Sequence, residues 1–464
     1  MEQDKNLITS DVLLVIGNGF DRQCELKSSY YDFLMYILKN NEENENQENE
    51  ILNKYLDYIE TCSSKLKINN LSQIYARNYQ IEGLNIWYLI LLYKKLLMKK
   101  DWNFIENQIL QEVLVDQRGL NIFSKVLFGI LTRYILNENI DKNIILVCNG
   151  SEIKIFPNIY NVLSYNLYNK LDNNKENNIV YKNLFTELGV WKLEIEKKIA
   201  SIVASDGYSN KKIRVDIIKE IELLNCIAEI LLEQLKEIEC DFIMYLDNKI
   251  NKHNLYLNNS NILASNLLKN SKTNNKNINC NILSFNYTEP WGQKFNFRDN
   301  FIHVNLVRNI HGTLKNKNII FGVDDNIIDA DSESYRFTKV SRIMEMNTIK
   351  ESMSTPINVI LDKSVSRVVF YGHSLSDADY GYFRMIFDEY VKKENVCFEF
   401  CYTVFEGTTE KNEIIKLREG ISRLFGRYEK ENYEKKYILK DLNLNNKIKF
   451  REIPKLSDEN KLKN

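Results

Sequence analysis

The chain opens on a run of apolar positions, Val12 to Ile16, closed by Gly17-Asn18-Gly19-Phe20-Asp21. A β-branched apolar run ending in a Gly-x-Gly turn predicts a buried strand that feeds a helix. Apolar residues then recur at helical spacing through Tyr31, Phe33, Leu34, Ile37 and Leu38, so a helix is expected from about Ser28. From about residue 40 to 275 the texture becomes mostly helical. "NNEENENQENE" predicts a solvated loop or helix start, and "LNIWYLILLYKKLL" and "DWNFIENQILQEVL" carry the helical period. "VDIIKEIELLNCIAEILLEQLKEIECDFIMYLDNKI" predicts one long amphipathic helix or two. "NNSNILASNLLKNSKTNNKNIN" reads as a polar connector.

Short apolar runs dominate from residue 276 onward. "CNILSFN", "FIHVNLV", "NIIFGVD", "SRVVFYGH", "CFEFCYTVF" and "KIKFREI" are the expected strands. "DYGYFRMIFDEYVKK" and "NEIIKLREGISRLF" are the expected helices among them. Apolar strands alternating with helices predict an α/β fold whose mostly parallel sheet is covered on both faces. The opening strand is expected to join that sheet. Residues 1–40 and 276–464 then form one core, and 41–275 a large helical insertion.

Composition narrows the partners. Lys and Arg number 62 against 63 Asp and Glu, so nothing indicates a nucleic-acid or anionic-membrane partner, which a basic excess would favour. The apolar runs are too short for a signal-peptide core or a membrane span, and a cytoplasmic location is expected. Eight Cys without a C-x-x-C pair, and only four His, predict reduced thiols and no structural zinc.

Four segments at strand-to-loop junctions could carry chemistry. Gly17 and Gly19 allow a tight turn or the close approach of a phosphate or ribose. Ser284, Asn286 and Tyr287 follow a middle strand, where an amide can hold a hydroxyl or water, a ring can stack, or the Asn can simply cap. His311 and Gly312 follow the next strand, where an imidazole can act as general base. His303 reads instead as a core histidine and His253 as a surface one. Gly372, His373, Ser374, Asp377 and Asp379 follow a later strand, where Ser and Asp suit helix capping and ribose binding alike. Asp324 and Asp325 with Asp377 and Asp379 leave open a Mg²⁺ site of a metal-dependent nuclease, although strand-end carboxylates are more often caps or solvated turns.

Taken in order, "LLVIGNGFD…LKSSYYDFL", "DWNFIENQI" with Trp102 and Glu106, "LSFNYTEPW", "NIHGTL", "IIFGVDD", "RFTKV" and "YGHSLSDADYGYF" resemble the bacteriophage abortive infection AbiH family. More distantly, the same pattern resembles sirtuin-like domains of bacterial defence systems. The opening Gly-Asn-Gly-Phe-Asp departs from the sirtuin Gly-Ala-Gly-x-Ser, and no Cys₄ module is visible, so deacetylation is not carried over. The resemblance implies a Rossmann-like, sirtuin-like fold and an anti-phage effector that binds NAD as substrate or ligand, without a metal. Gly17, Asn18, Gly19, Phe20 and Asp21 would then line the diphosphate pocket. Ser284, Tyr287, Gly312, Gly372, His373, Ser374 and Asp377 would complete the nucleotide site. Asn286 would position a water or ribose hydroxyl and His311 would serve as base for hydrolysis of the nicotinamide–ribose bond. A nucleotide-binding sensor without turnover is the alternative. The helical insertion would be lid, homo-oligomer interface or detector of a phage-derived trigger, with Glu106 a candidate to enter the site.

Overall fold

The computed structural model describes residues 9–38, 221–269, 277–291, 295–297, 300–324, 328–349, 356–376, 379–431 and 437–456, together with short stretches between 85 and 214 that include 105–114, 145–148, 151–152 and 212–214. In chain order the strands are β1 (Val12–Ile16), β2 (Ile145–Cys148), β3 (Ser151–Glu152), β4 (Lys212–Arg214), β5 (Ile278–Ser284), β6 (Phe295–Phe297), β7 (Asn300–Asn309), β8 (Arg367–Tyr371), β9 (Cys397–Tyr402) and β10 (Ile448–Glu452). The helices used below are α1 (Gly19–Gln23), α2 (Tyr30–Leu38), α3 (Ile105–Val113), α4 (Ile221–Lys252), α5 (Tyr256–Leu268), α6 (Lys339–Ile349), α7 (Ile357–Ile360), α8 (Tyr380–Tyr390), α9 (Glu410–Glu431) and α10 (Ile438–Leu444).

The main sheet runs β10-β9-β8-β1-β5-β7-β6. Every neighbouring pair in it is parallel except β6 with β7 at the edge. Counting the six parallel strands along the chain, the order across the sheet is 3-2-1-4-5-6, that of a Rossmann-like sheet. The expected α/β class with a mostly parallel sheet is therefore what the chain forms. The central strands β1 and β8 are buried along their whole length because both faces are covered. Leu13 and Val15 point into a layer with Phe383, Phe387, Leu424 and Phe425 of α8 and α9. Val12, Leu14 and Ile16 point into the opposite layer with Leu263, Leu267 and Leu268 of α5. The alternation is that of a strand, but both sets are buried.

Three expectations need correcting. "NIIFGVD" is not a strand; Val323 makes only an isolated bridge to Thr338. The presumed polar connector contains α5, whose Leu263, Leu267 and Leu268 are buried beside Asn259, Ser260 and Ser265. Its Asn and Ser content hides a helix whose apolar face is real. His253, read as a surface residue, is only half exposed where α4 ends. The long amphipathic stretch resolves as a single helix, α4.

The C-terminal carbonyls of α5 are held from the sheet. Arg451 donates to the carbonyls of Asn266 (2.9 Å) and Leu267 (2.7 Å), and Arg367 donates to that of Leu268. Glu399, between them on β9, pairs with both guanidinium groups. Positive charge there complements the negative end of the helix dipole, although α5 has no basic residue in its own last turn.

By internal contacts the chain forms two units, one of Met1–Phe33, Cys240–Ile320 and Ile343–Asn464, the other of Leu34–Glu239 and Phe321–Arg342. The first holds the main sheet. The second includes a small sheet, β3-β2-β4, in a region expected to be mostly helical. Buried ion pairs join its distant segments: Lys339 to Glu106 at 3.3 Å, and Arg342 to Glu239 through two bonds of 3.0 and 2.8 Å. Burial pushes the Glu239 carboxyl up while Arg342 and the Phe321 amide pull it down. Phe337 packs against Trp87 and Phe123. "DWNFIENQI" and "RFTKV" thus meet in this unit through Glu106 and Lys339; Trp102 lies outside the described residues. No described helix is long and apolar enough to cross a membrane.

The loops after β1 and β8 touch backbone to backbone. Gly17 N–H donates to the Tyr371 carbonyl at 3.0 Å and Gly19 N–H to that of Gly372 at 2.8 Å. A Cβ on Gly372, at φ +70°, would lie 2.5 Å from the Phe20 nitrogen. Gly372→Ala combines that clash with a left-handed backbone and should cost about 2 kcal/mol or more. Gly407→Ala, at φ +82° with open space around it, should cost about 1 kcal/mol. Urea denaturation of both variants checks the difference; equal losses would mean the two loops part without cost.

Candidate functional site

In an open parallel sheet, ligands bind beyond the carboxyl ends of the strands, where the strand order reverses. Here that point lies between β1 and β8, and the loops after β1, β5, β7 and β8 gather around it. The glycines have a role within the fold. Gly17 and Gly19 let the first loop lie on the backbone of Gly372 and His373, contacts that a Cβ would bring below 3 Å. Gly312, at φ +84°, permits the turn back to Asn318, whose side chain accepts from the Thr313 amide at 2.9 Å.

Asp21 sits in α1, directly after the first loop, and is buried. Tyr256 of α5 donates to its Oδ1 and Thr288 to its Oδ2, both at 2.8 Å. Burial pushes this carboxyl up from 3.8 to about 6, against the lowering effects of Tyr256, Thr288 and Asn286. The loop after β5 is fixed from β7. Asn309 Nδ2 donates to the carbonyls of Asn286 (2.7 Å) and Thr288 (3.0 Å), and the Ser284 hydroxyl accepts from the Asn286 amide at 3.1 Å. The Asn286 side chain is therefore not needed to shape its loop. It is 3% exposed; its amide stands close enough to Asp21 to lower that carboxyl, yet among the described residues neither Nδ2 nor Oδ1 meets a partner at hydrogen-bond distance and angle. Buried amides are almost always paired, so one without a hydrogen bond at this edge is a candidate contact for a ligand atom or a water.

The loops after β7 and β8 meet through a carboxylate. Asp379 Oδ1 lies 3.0 Å from His311 Nε2, a close contact without hydrogen-bond alignment, and Oδ2 is hydrogen-bonded to His373 Nε2 at 3.1 Å. The three side chains are at most 8% exposed. His373 Nδ1 accepts from the Leu375 amide at 2.9 Å, so the proton of neutral His373 is on Nε2 and is donated to Asp379. Asp379 occupies the N-cap position of α8 but makes no side-chain cap bond; its carboxylate faces the imidazoles instead. Phe285 packs its ring against both, 5.8 Å from His311 and 4.3 Å from His373.

Several expected residues take other places. His373 has both ring nitrogens engaged and holds Asp379 rather than a free ligand position. Tyr287 donates or accepts at 3.0 Å from the Tyr30 hydroxyl and packs edge-on against Phe242, which makes it part of the wall. Phe20 is buried against Trp291. Asn18 is exposed and accepts from Ser28 at 2.6 Å, and Ser374 is exposed. His303, near the middle of β7, pairs with Asn305 at 2.6 Å. Asp377 and Asp325 lie outside the described residues. Among the described residues no group of three or more His, Cys, Asp or Glu could hold a metal. The residue that sequence reasoning valued too little is Asp379, considered there only as cap, ribose partner or metal ligand.

A family model described as Bacteriophage abortive infection AbiH matches residues 13–400. No curated protein and no solved structure matches the chain.

The raised Asp21 pKa has a pH signature. Between pH 3.8 and about 6 the folded chain keeps a proton that the unfolded chain has lost. The stability it contributes is complete below that window and is lost as pH rises through it. Asp21→Asn cannot ionise and should flatten this part of the stability–pH curve in urea titrations. A variant curve with the same fall would assign the slope to other groups.

Proposed function

This chain belongs to the bacteriophage abortive infection AbiH family, which supports an anti-phage role, and we propose that it acts by binding NAD⁺ and hydrolysing the nicotinamide–ribose bond. The observation that carries this reading is the orphaned, buried amide of Asn286, in a loop that also packs on an imidazole backed by a carboxylate. In the proposed step a water attacks C1′ of the ribose. The C–N bond breaks, and its electron pair stays on the nitrogen of the departing nicotinamide. Asn286 orients the water or a ribose hydroxyl. His311 takes the water's proton, a role worth roughly 10²–10⁴-fold in typical general-base catalysis. Asp379 stabilises the imidazolium that forms, as the orienting carboxylate of a triad does. His373 anchors Asp379 from the opposite side. Asp21 keeps the pocket floor polar next to Asn286.

One feature favours a second reading, a nucleotide-binding sensor or scaffold without turnover. The glycines after β1 and β8 pack on each other and do not frame an open phosphate cradle. The assay that separates the two is nicotinamide release from NAD⁺ by purified protein, with and without phage lysate to supply a trigger or promote homo-oligomer assembly. Asn286→Ala and His311→Ala should abolish release while leaving the thermal melt near that of the parent, and Asp379→Asn should slow it by at least roughly tenfold. Release that survives both alanine changes contradicts the hydrolase assignment. No release, with NAD⁺ still raising the melting temperature, transfers the proposal to the sensor. Chelator-sensitive cleavage of DNA or RNA would revive the nuclease alternative.

A further inference from the structure

A cation at the same sheet edge has no counter-charge among the described residues. Arg308 is the penultimate residue of β7, beside Leu283 of β5 in register. Leu306 packs into the layer containing Phe285 and Phe383, and Val307 into the opposite layer. Strand alternation returns Arg308 to the first face, the one carrying Tyr382 of α8. The Tyr382 ring lies 5.9 Å from that of Phe285 and 6.2 Å from that of His311. Arg308 is half-buried, and its Nη1 is fully buried without a hydrogen-bond partner. Burial pushes its pKa down, and the one opposing influence is the Tyr382 phenol; no carboxylate among the described residues acts on it. The buried arginines among the described residues are different: Arg342 and Arg367 each have a glutamate.

A desolvated guanidinium without an anion is costly, and a fold tolerates such a group where a ligand completes it. Its planar fork matches a phosphate better than any neutral group. We propose that Arg308, with the Tyr382 hydroxyl, forms an anion subsite that takes a phosphate of the nucleotide bound at the Asn286–His311 edge. The ligand's identity rests on the NAD⁺ reading; the anion subsite does not. The site would therefore select phosphorylated nucleotides over nucleosides, because the dephosphorylated compound leaves the guanidinium unpaired.

The test uses the full chain and Arg308→Met, which keeps bulk and removes charge, beside Arg308→Lys. Thermal shifts are recorded with inorganic pyrophosphate, NAD⁺ and nicotinamide riboside. Pyrophosphate and NAD⁺ should raise the melting temperature of the parent. Arg308→Met should lose the pyrophosphate shift and weaken NAD⁺ at least about tenfold, while binding nicotinamide riboside as the parent does. Arg308→Lys should keep a smaller pyrophosphate shift. Without ligand, Arg308→Met should melt at or above the parent, since an unpaired cation has been removed. A pyrophosphate shift that depends on Arg308, in a protein that releases no nicotinamide, upholds the subsite and rejects the hydrolase. Overturning results would be no anion shift in the parent, an equal shift in Arg308→Met, or a variant that melts lower yet binds both anions undiminished.

Discussion

The close approach of two backbones at the strand-order reversal governs the rest of this molecule. Gly17 and Gly19 leave β1 so close to Gly372 that no side chain fits between them. The hydrogen bonds from Gly17 and Gly19 extend the β1–β8 pairing past the end of the strands. This contact fixes where the loop after β8 goes, and therefore where His373 and Asp379 stand. The β7 loop, with His311, then completes an arrangement that no single loop could hold. Glycine acts here through what it lacks: the packing of the two loops depends on missing Cβ atoms rather than on added contacts.

Beneath the loops, the parallel sheet supplies rigidity. Its two apolar layers take alternate residues of β1, β5 and β8, so these strands cannot slip by one residue without moving every side chain to the other face. The far end of the sheet is fastened differently. Glu399 holds Arg367 and Arg451 against the carbonyl end of α5, and α5 in turn delivers Tyr256 to Asp21. A chain of contacts thus runs from the polar cluster at one end of the sheet to the buried carboxyl at the other. Among the buried polar atoms of this unit without a hydrogen bond, the Asn286 amide and Arg308 Nη1 stand out because they lie at the ends of β5 and β7.

Much of this was legible from the residues. The runs of β1, β5, β8 and β9 could be recognised because burial on both faces leaves them mainly apolar, despite Asn279, Asn281, Arg367 and Glu399. Asn286 and His311 could be chosen because they follow strands in a fold that binds ligands at strand ends. Other features were not local. "NIIFGVD" carries strand-forming residues, yet its backbone partners are a neighbouring turn, and propensity cannot know that. The polar face of α5 drowned its apolar one in an Asn-rich chain. Asp379 has the signature of an N-cap, and only the positions of two histidines, 68 and 6 residues earlier in the chain, turn it into their shared partner. Arg308 is recognised by what is absent around it, which no spacing in the sequence encodes.

Hydrogen exchange of the full chain with and without NAD⁺ tests the central claim, that a nucleotide binds where these four loops meet. The account predicts slower exchange in the loops after β1, β5, β7 and β8, strongest around Phe285–Tyr287 and Ile310–Gly312, with the middle of the sheet unchanged. Protection confined to other segments, or none at saturating NAD⁺, would contradict it.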